Sequence, residues 1–417
     1  MQLRSEHVTE SNDQRHPAPK KPRPRGLWSE AQELLGQVAI PLATALSVWL
    51  FLRDQVLDAY VVPTPSMEPT IEGDPQHGDR VLVDKTFDQR RNPERFDMVV
   101  FWLEKEQQIV VKRVAGLPGE SIEIRDGDLF VGKTPQSLSR IVKSVNDDAD
   151  LFARYWDHAV DPQGLASTRW RRQRTQMDAE AISLEPLPSS AALLEARAPN
   201  DRRQSAWNLE WLGKVTTGYI DAFDGFIPRS YPALDFGLEL TTKLQPGARL
   251  WLRLDKYGDA FSLCCGTGGH LAVFHGERRL DLGAARLPEL AGSSHELRYM
   301  WLDGGLVLGV DGKEILRLSP SLEPNRLAPA NGIGVAVTKA SARIDAMRIV
   351  RDIHYLERGS FAAFSPEIIP DKHYFLLGDN SEDSRDSRYF GPVHQRWLRG
   401  RPLLVAAPLS RFHVFRR

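Results

Sequence analysis

An uncharged stretch of 19 residues, LLGQVAIPLATALSVWLFL at positions 34–52, constrains this chain more than any other feature. Its length is what a single crossing of a bilayer requires. Six basic residues precede it, and Asp54 and Asp58 follow it. Lysine and arginine stay on the cytoplasmic side of a membrane segment. The pattern predicts a single transmembrane anchor over 34–53, a disordered cytoplasmic tail over 1–33, and the rest of the chain on the extracytoplasmic side of the cell membrane.

Two alternatives to an uncleaved anchor remain open at this point. A cleaved signal peptide is one, although the polar leader of more than 30 residues is long for that class. A buried core helix is the other. Pro41 is awkward in either alternative, because proline has no N–H for the helix interior.

Charge and cysteine content narrow the function classes. The net charge is −1, so no overall field attracts nucleic acid, and we predict no nucleic-acid partner. The two cysteines, Cys264 and Cys265, are adjacent, which excludes a long-range disulfide framework. We expect two thiols on opposite faces of one strand, with a strained vicinal disulfide as the alternative.

Residues 58–140 have the pattern of antiparallel β-structure. Three segments alternate or run apolar between turn-rich stretches: DRVLVDKTFD (79–88), FDMVVFWLEKE (96–106) and QIVVKRVAGL (108–117). Further along, Asp126-Gly127 is a strong signal for a two-residue hairpin.

The middle of the chain changes character twice. Residues 141–214 are polar and without a sustained period, and we interpret them as a linker or excursion. Over 215–352 the alternation returns, and Asp303-Gly304 and Asp311-Gly312 divide one run into a three-stranded meander. Strands at roughly ten-residue spacing predict an inserted β-sandwich. The fold class predicted for the whole chain is mainly β.

A serine nucleophile in this chain would need a general base other than histidine. No G-x-S-x-G elbow is present, and no histidine pair has the H-E-x-x-H spacing of a metal site. A lysine can be the base when burial disfavours its charged form and lowers its pKa. Lys112 stands between apolar residues in a strand that we expect to be buried. The alternative is that Lys112 and its neighbour Arg113 point to solvent.

Five short motifs together resemble one enzyme family. They are PTPSMEPT (63–70), GDRVLVDK (78–85), RFDMVVF (95–101), KRVAGLPGE (112–120) and GDNSEDSRDSR (378–388). In this order, behind an apolar anchor, they are similar to the conserved boxes of the type I signal peptidases, the serine–lysine leader peptidases of bacterial membranes. Phe96 stands where that family usually has glycine, and Ser381 where arginine is common. The resemblance covers 34 to about 134 and about 355 to 417, under half of the chain.

The resemblance implies a role for individual residues. Ser66 matches the nucleophile and Lys112 the general base. The hydroxyl of Thr64 and the backbone N–H of Ser66 match the groups that stabilise the oxyanion. Ser384 matches a serine that hydrogen-bonds the lysine amine and fixes its direction.

Other matched positions are implied to support the site or to bind substrate. Asp386 and Arg388 match an ion pair that holds the last motif together. Tyr60, Val62 and Val111 match positions that line shallow substrate pockets, with ordinary β-core packing as the alternative for each. The resemblance thereby implies a catalytic domain in two parts, 58–140 and 353–417, around the insertion.

The resemblance also implies substrates and surroundings. Members of the family cut secretory preproteins after small residues at the −1 and −3 positions of the signal peptide, at the lipid bilayer, without a cofactor or a metal. Pro63 and Pro65 fix φ near −65° on both sides of Thr64 and preset the geometry of the following serine. We expect Met67 and the apolar residues around Ser66 to lie against lipid.

Two functions of other classes are weaker interpretations. One is an envelope binding protein on a decayed peptidase scaffold, against which the four intact residues Ser66, Lys112, Thr64 and Ser384 argue. The other is a self-cleaving transcriptional regulator, which would lack an anchor and carry a DNA-binding helix pair. This chain has the reverse pattern.

The insertion loosely resembles concanavalin-like jelly rolls in segments such as LDFGLELTTKL (234–244). This predicts a glycan or an envelope protein as its partner, with a scaffold that binds no ligand as the alternative. Four tryptophans are candidates for a sugar-stacking platform or for the core: Trp207, Trp211, Trp251 and Trp301.

Overall fold

The computed structural model describes residues 35–51, 55–87, 91–143, 158–159, 170–172, 174–177, 181–187, 207–211, 219–220, 226–227, 233, 235–322 and 332–415. The chain divides into two compact units, Met1–Val56 and Leu57–Arg417.

In the first unit, a π-helical turn Leu35–Ala39 leads into helix α1, Ile40–Phe51. The change from π to α geometry coincides with Pro41, which has no N–H to donate. Among the described residues, no helix is long and apolar enough to cross a membrane. The predicted tail lies outside the described residues, as do 34, 52 and 53 of the predicted anchor.

In the residues that the structure describes, the second unit consists of β-strands, short 3₁₀ turns and one short α-helix. Its first strands are β1 Leu57–Val61, β2 Arg80–Asp84, β3 Met98–Leu103, β4 Gln108–Gly116, β5 Ser121–Arg125, β6 Asp128–Gly132 and β7 Ser139–Arg140. The middle strands are β8 His158–Ala159, β9 Trp170–Arg172, β10 Thr175–Met177, β11 Ile182–Leu184, β12 Leu209–Trp211, β13 Tyr219–Ile220, β14 Phe226–Ile227, β15 Phe236–Leu244, β16 Arg249–Lys256, β17 Asp259–Gly266, β18 His270–His275, β19 Arg278–Arg279, β20 Ser294–Leu302, β21 Gly305–Val310, β22 Lys313–Leu318, β23 Ile333–Thr338 and β24 Ala342–Arg351. The last elements are β25 Glu367–Ile368, β26 His373–Leu377, α2 Ser387–Phe390, β27 Val393–His394, β28 Leu398–Ala407 and β29 His413–Val414.

Strands β1–β7 and β25–β29 form one β domain, here called the flanking domain because its two parts flank the insertion. Its main sheet has the order β1-β2-β28-β3-β4-β26-β27, with β29 paired to β28, and a smaller sheet has the order β25-β5-β6-β7. The main-sheet pairings are antiparallel. Asp126 and Gly127 join β5 to β6 with φ of 48° and 88°, as a type I′ turn requires. The predicted hairpin is confirmed.

The insertion is a two-sheet sandwich. One sheet has the order β10-β11-β24-β15-β20-β21-β22, with β8 on β24, and the other has the order β19-β18-β17-β16-β23-β12-β9. Leucine, valine and aromatic side chains from both sheets share one core. Strands β8–β12 lie within 158–211, so this fold begins earlier than residue 215 and includes part of the predicted linker. Strands of two or three residues are too short to show an alternating pattern, which is why the sequence did not indicate them.

Two expectations about the sandwich are confirmed. Asp303-Gly304 and Asp311-Gly312 have positive φ and join β20, β21 and β22 as a meander. In β17, the adjacent thiols are free and buried on opposite faces, Cys265 in the sandwich core and Cys264 in a small cluster on the other side of its sheet.

The proposed tryptophan platform is wrong for the three side chains that the structure describes. Trp207, Trp251 and Trp301 are 1%, 4% and 3% exposed, so none offers a ring face to a sugar. Their rings pack into hydrophobic clusters of the insertion instead, Trp301 between the two sheets and Trp207 and Trp251 on the other side of one sheet. The side chain of Trp211 lies outside the described residues.

A shared core joins the insertion to the flanking domain. From the flanking domain it contains Phe96, Ala115, Ile122, Ile124, Leu129, Ile369, Phe375 and Leu377, and from the insertion Met300, Leu302, Val307 and Val350. Strand β20 is therefore buried on both faces, since its alternate residues Tyr299 and Trp301 pack into the sandwich core. The insertion is packed onto the flanking domain as part of one hydrophobic structure.

Candidate active site

Ser66 lies in a short 3₁₀ turn, Pro65–Met67, a few residues after β1. Thr64 is extended, with φ −130° and ψ 146°, and Pro65 opens the turn with a φ that is already suitable. Met67 is fully buried in a core of the flanking domain, so the expectation that it contacts lipid is wrong. The turn directs this side chain inward, where it anchors the segment and leaves Ser66 5% exposed.

Two glycines allow other segments to approach this turn closely. A Cβ at Gly73 would lie 1.7 Å from the carbonyl oxygen of Thr64. A Cβ at Gly378, the first residue of the last motif, would lie 2.4 Å from the carbonyl oxygen of Ser66 and 2.2 Å from Ser384 Oγ. These approaches are shorter than any real Cβ contact, so the packing around the serine requires glycine at both positions.

Lys112 lies in β4, where it pairs with Val99 of β3. It is 2% exposed, and its Nζ donates to Ser66 Oγ at 2.5 Å and to the Val111 carbonyl at 3.0 Å. Arg113 points the other way and is also fully buried. The alternative in which Lys112 and Arg113 face solvent is therefore wrong for both residues.

Burial lowers the pKa of Lys112 from its ordinary 10.5 to about 8, because the ammonium form loses its hydration. The carboxylates of Asp386 and Asp379 raise the pKa, but by less than burial lowers it. The neutral amine is therefore populated at a lower pH than in an exposed lysine. That amine contacts a hydroxyl and can accept its proton.

Two buried ion pairs hold the last motif. Asp386 and Arg388 pair twice at 2.8 Å with both side chains fully buried, and Asp386 also accepts from the Gly378 N–H at 3.0 Å. Asp379 pairs with Arg113 at 2.8 and 2.5 Å, again fully buried. The second pair ties the last motif to β4 beside Lys112.

The position of Ser384 differs from what the resemblance implied. Its Oγ is buried and has no hydrogen-bond partner among the described residues. The expected hydrogen bond between Ser384 and the Lys112 amine is therefore not formed in this structure. The hydroxyl lies instead against Gly378.

An anion could be held beside Ser66 Oγ. The hydroxyl of Thr64 lies 3.3 Å from Ser66 Oγ. The backbone N–H of Ser66 donates no hydrogen bond to any residue that the structure describes. A backbone N–H and a hydroxyl near the attacking serine are the kind of donors that the oxyanion of a tetrahedral intermediate needs.

The model for the family of signal peptidases, peptidase S26, matches residues 35–181 and 310–406, more than half of the chain. The chain belongs to this family.

Named relatives match only in part. The probable signal peptidase I-2 of Synechocystis is 30% identical over 118 residues, 27% of this chain and 49% of the relative. Signal peptidase I V of Bacillus subtilis is 35% identical over 115 residues, 27% of this chain and 62% of the relative. A Staphylococcus aureus protein named inactive signal peptidase IA is 31% identical over 103 residues, 24% of this chain and 54% of the relative. The chain spans about half the length of the curated relatives it matches.

The two departures from the signal peptidase motifs both lie where the insertion meets the flanking domain. Phe96 has a φ of 75°, in the left-handed region that favours glycine and costs other residues about 1 kcal/mol or more. Its ring is buried in the shared core, which offsets that cost. Ser381 accepts from the Leu356 N–H at 2.8 Å and from Arg388 at 2.6 Å. It therefore ties the chain returning from the insertion to the last motif.

The three residues matched to the family's pockets line one cleft with Ser66. Tyr60, Val62 and Val111 form its walls together with further valines, Val81, Val83 and Val100. Val62 and Val111 also belong to a core of the flanking domain. Tyr60 donates to Asp58 at 2.8 Å, and burial raises the pKa of Tyr60 to about 12.

Sequence reasoning missed Asn380. Its side-chain Nδ2 donates to the Pro65 carbonyl at 2.9 Å, and its backbone N–H donates to the Ser66 carbonyl at 3.1 Å. The signal was present, because Asn380 follows Gly378 and Asp379 inside the last motif. No local pattern indicated that it reaches a turn more than 300 residues earlier.

One group of carboxylates could hold a metal ion among the residues that the structure describes: Asp128, Asp235, Asp303 and Asp352, with oxygens within 4.8 Å of one another. Two lysines lie beside it. Lys143 pairs with Asp352 and lies 3.4 Å from Asp303, and Lys256 lies 3.7 Å from Asp235. These ammonium groups neutralise part of the cluster, which lies apart from the Ser66 turn in the sequence and shares no contact with Lys112.

Proposed function

We propose that this chain is a membrane-bound serine endopeptidase that removes signal peptides from translocated preproteins. Ser66 is the nucleophile and Lys112 the general base, and cleavage follows small residues at the −1 and −3 positions. Membership of the signal peptidase family supports the reaction class. The observation that carries the proposal is the 2.5 Å contact between Lys112 Nζ and Ser66 Oγ at a buried site.

In the proposed reaction, Ser66 Oγ attacks the scissile carbonyl as neutral Lys112 takes the hydroxyl proton. The resulting oxyanion is stabilised by the Thr64 hydroxyl and the Ser66 N–H. The Lys112 ammonium then gives its proton to the leaving amine, and an acyl-enzyme ester remains on Ser66. Water attacks this ester while Lys112 accepts a proton from it. Ser66 Oγ then leaves and takes that proton back from Lys112, and the signal peptide is released with a free C-terminal carboxyl group.

Substrate selection is proposed to come from the valine-rich cleft. An extended peptide that pairs with a strand edge places alternate residues in the pockets. Branched side chains such as Val62 and Val111 leave room there for small residues only. Preproteins and the lipid bilayer are the proposed partners. The glycan or envelope-protein partner of the insertion remains a prediction.

A decayed scaffold is the competing proposal, because two relatives from Staphylococcus aureus are named inactive. The close Ser66–Lys112 contact and the lowered pKa of Lys112 speak for activity. A scaffold that has lost its chemistry has no reason to keep a lysine buried next to a serine, since burial of an amine is costly.

The test is cleavage of a signal-peptide-bearing precursor by the detergent-solubilised full chain. Ser66→Ala should abolish cleavage, because the ester cannot form. Ser262→Ala is the matched control, a buried serine in the insertion, and should keep the parent rate. A parent that is folded yet inert, or a Ser66→Ala variant that still cuts, would reject the proposal.

The pH profile tests the assignment of the base. Because Lys112 must be neutral and its pKa is about 8, kcat/KM should fall about tenfold for each pH unit below 8 and level off above it. A rate that is flat from pH 6 to 9 would contradict the lysine base.

A further inference from the structure

Asn380 brackets the proposed nucleophile on both sides. Its side-chain amide donates to the carbonyl of Pro65, one residue before Ser66, at 2.9 Å. Its backbone N–H donates to the carbonyl of Ser66 itself at 3.1 Å. Asn380 is 6% exposed, so water does not compete freely for these bonds.

The first of these bonds acts on the peptide group that carries the Ser66 N–H. The Pro65 carbonyl and the Ser66 N–H belong to one planar peptide, and in a trans peptide they point in opposite directions. A donor that holds the carbonyl on one side therefore fixes where the N–H points on the other. Oxyanion stabilisation depends on that direction, because the donor must lie at about 2.7–3.1 Å from the developing charge.

The chain itself leaves this direction only partly determined. The pyrrolidine ring fixes φ of Pro65, but rotation about its ψ still turns the following peptide. Inside the turn, the Glu68 N–H also donates to the Pro65 carbonyl, at 3.1 Å. Asn380 adds a second donor from a distant element, so the carbonyl accepts two hydrogen bonds.

The rest of the last motif makes Asn380 a rigid support. Its neighbour Asp379 pairs with buried Arg113 and accepts from the Thr70 hydroxyl at 2.6 Å. Arg113 follows Lys112 directly in β4. The dipeptide Asp379-Asn380 therefore contacts both the serine turn and the lysine strand.

We propose that Asn380 is a positioning residue for catalysis, which aims the backbone N–H of Ser66 at the oxyanion by holding the Pro65 carbonyl. This inference rests on the proposed function. It assigns Asn380 no contact with substrate, so its loss should affect the transition state and leave ground-state binding unchanged.

The experiment compares Asn380→Ala with the parent in the precursor assay. Removal of an oxyanion donor typically costs about 100–1,000-fold in kcat, and misdirection of one should cost roughly 10–100-fold. KM should stay within about twofold, and the acidic limb of the pH profile should not move, because Lys112 is untouched. Asn380→Asp keeps the size and loses the donor, so it should be at least as slow as Asn380→Ala.

Two control variants separate positioning from general support. Asn208 is a buried asparagine in the insertion that also clamps backbone, donating to Glu185 at 3.1 Å and accepting from Val337 at 2.9 Å. Asn208→Ala should lower the melting temperature without changing kcat. Thr70→Val removes a different bond to the last motif and should change kcat much less than Asn380→Ala.

A tetrahedral adduct gives a readout that stability does not influence. A peptide boronate forms such an adduct on a serine hydroxyl, and its affinity should fall for Asn380→Ala by the same factor as kcat. The affinity of the matching peptide without the boronate should not change. In Thr64→Val, the further loss caused by Asn380→Ala should be smaller than in the parent, since both groups serve one oxyanion.

The outcomes are distinguishable. One outcome is that the parent cuts precursor while Asn380→Ala keeps kcat within about twofold or changes KM alone. That result overturns this inference and leaves the proposed function intact. Equal kcat losses in Asn380→Ala and Asn208→Ala also overturn it. A parent that neither cuts precursor nor binds the boronate through Ser66 overturns both.

Discussion

Lys112 and Lys256 are buried in two different parts of the molecule, and burial lowers the pKa of each to about 8. In the flanking domain, Lys112 donates to Ser66 Oγ at 2.5 Å. In the insertion, Lys256 lies 3.7 Å from the carboxylate of Asp235 and faces three aromatic rings. A lowered pKa is therefore not sufficient to indicate a catalytic base. The adjacent hydroxyl distinguishes the two lysines.

The two sites also differ in what a substitution would leave behind. Lys112 forms no ion pair among the described residues, and its nearest partners are a hydroxyl and a backbone carbonyl. Lys256 neutralises Asp235, which is 7% exposed. Removal of one partner of a buried ion pair leaves the other charge buried and without compensation. The first lysine should thus matter for reactivity and the second for stability.

The largest expected effect comes from replacing each lysine with methionine, which keeps most of the side-chain volume. Lys112→Met should lower kcat by about 10⁴–10⁶-fold, as loss of a member of a catalytic unit does, and should leave the stability unchanged or raise it. Lys256→Met should keep kcat and lose about 3 kcal/mol of unfolding free energy. Precursor cleavage and denaturant unfolding measure the two quantities. A Lys256→Met variant that is stable but inactive would contradict the assignment of catalysis to Lys112 and of stability to Lys256.

A smaller effect is expected from adding one methyl group in each region. Gly378→Ala should reduce kcat/KM by about 100-fold, because its Cβ would collide with the Ser66 carbonyl at 2.4 Å and displace the serine turn. The matched control is Gly305→Ala in β21, whose Cβ would find its nearest atom at 3.2 Å. That variant should change activity by less than about twofold. Similar activities for the two variants would show that the turn is more adaptable than its contacts indicate.

The smallest effect concerns stability and pH. Folded Lys112 has a pKa of about 8, below its ordinary value of 10.5, so between these values the unfolded chain holds a proton that the folded chain has lost. Stability from this group therefore rises with pH through that window, by about 1.4 kcal/mol per pH unit. The free energy of unfolding of the parent, minus that of Lys112→Met, should therefore increase from pH 8 to pH 10. A constant difference would contradict the lowered pKa.

Sequence alone predicted most of what is local. The Asp-Gly pairs predicted three hairpins, because type I′ turns accept few other residues, and period-two patterns predicted the long strands. The motif around Ser66 and the strand of Lys112 were likewise identified, and the structure brings the two side chains into contact.

What the sequence did not predict depends on long-range packing. The orientation of Ser384 and the hydrogen bonds from Asn380 to the serine turn depend on residues far away in the chain. No local sequence pattern indicates such contacts. The shared core did leave a signal. Residues 299–302 are apolar at successive positions, which indicates a strand buried on both faces, and we interpreted the run only as part of a sandwich.

The pairing of β4 with β26 across the whole insertion has a consequence for biosynthesis. Arg113 and Asp379 are 266 positions apart, and Pro65 and Asn380 are 315 apart. At about 5–20 residues per second, a ribosome needs roughly 10–50 s to make the segment between the first pair. During that time the nascent chain has its serine and lysine but lacks the last motif that braces them. The proposed activity therefore depends on synthesis of the last motif, and chains truncated before residue 378 should not cleave the precursor.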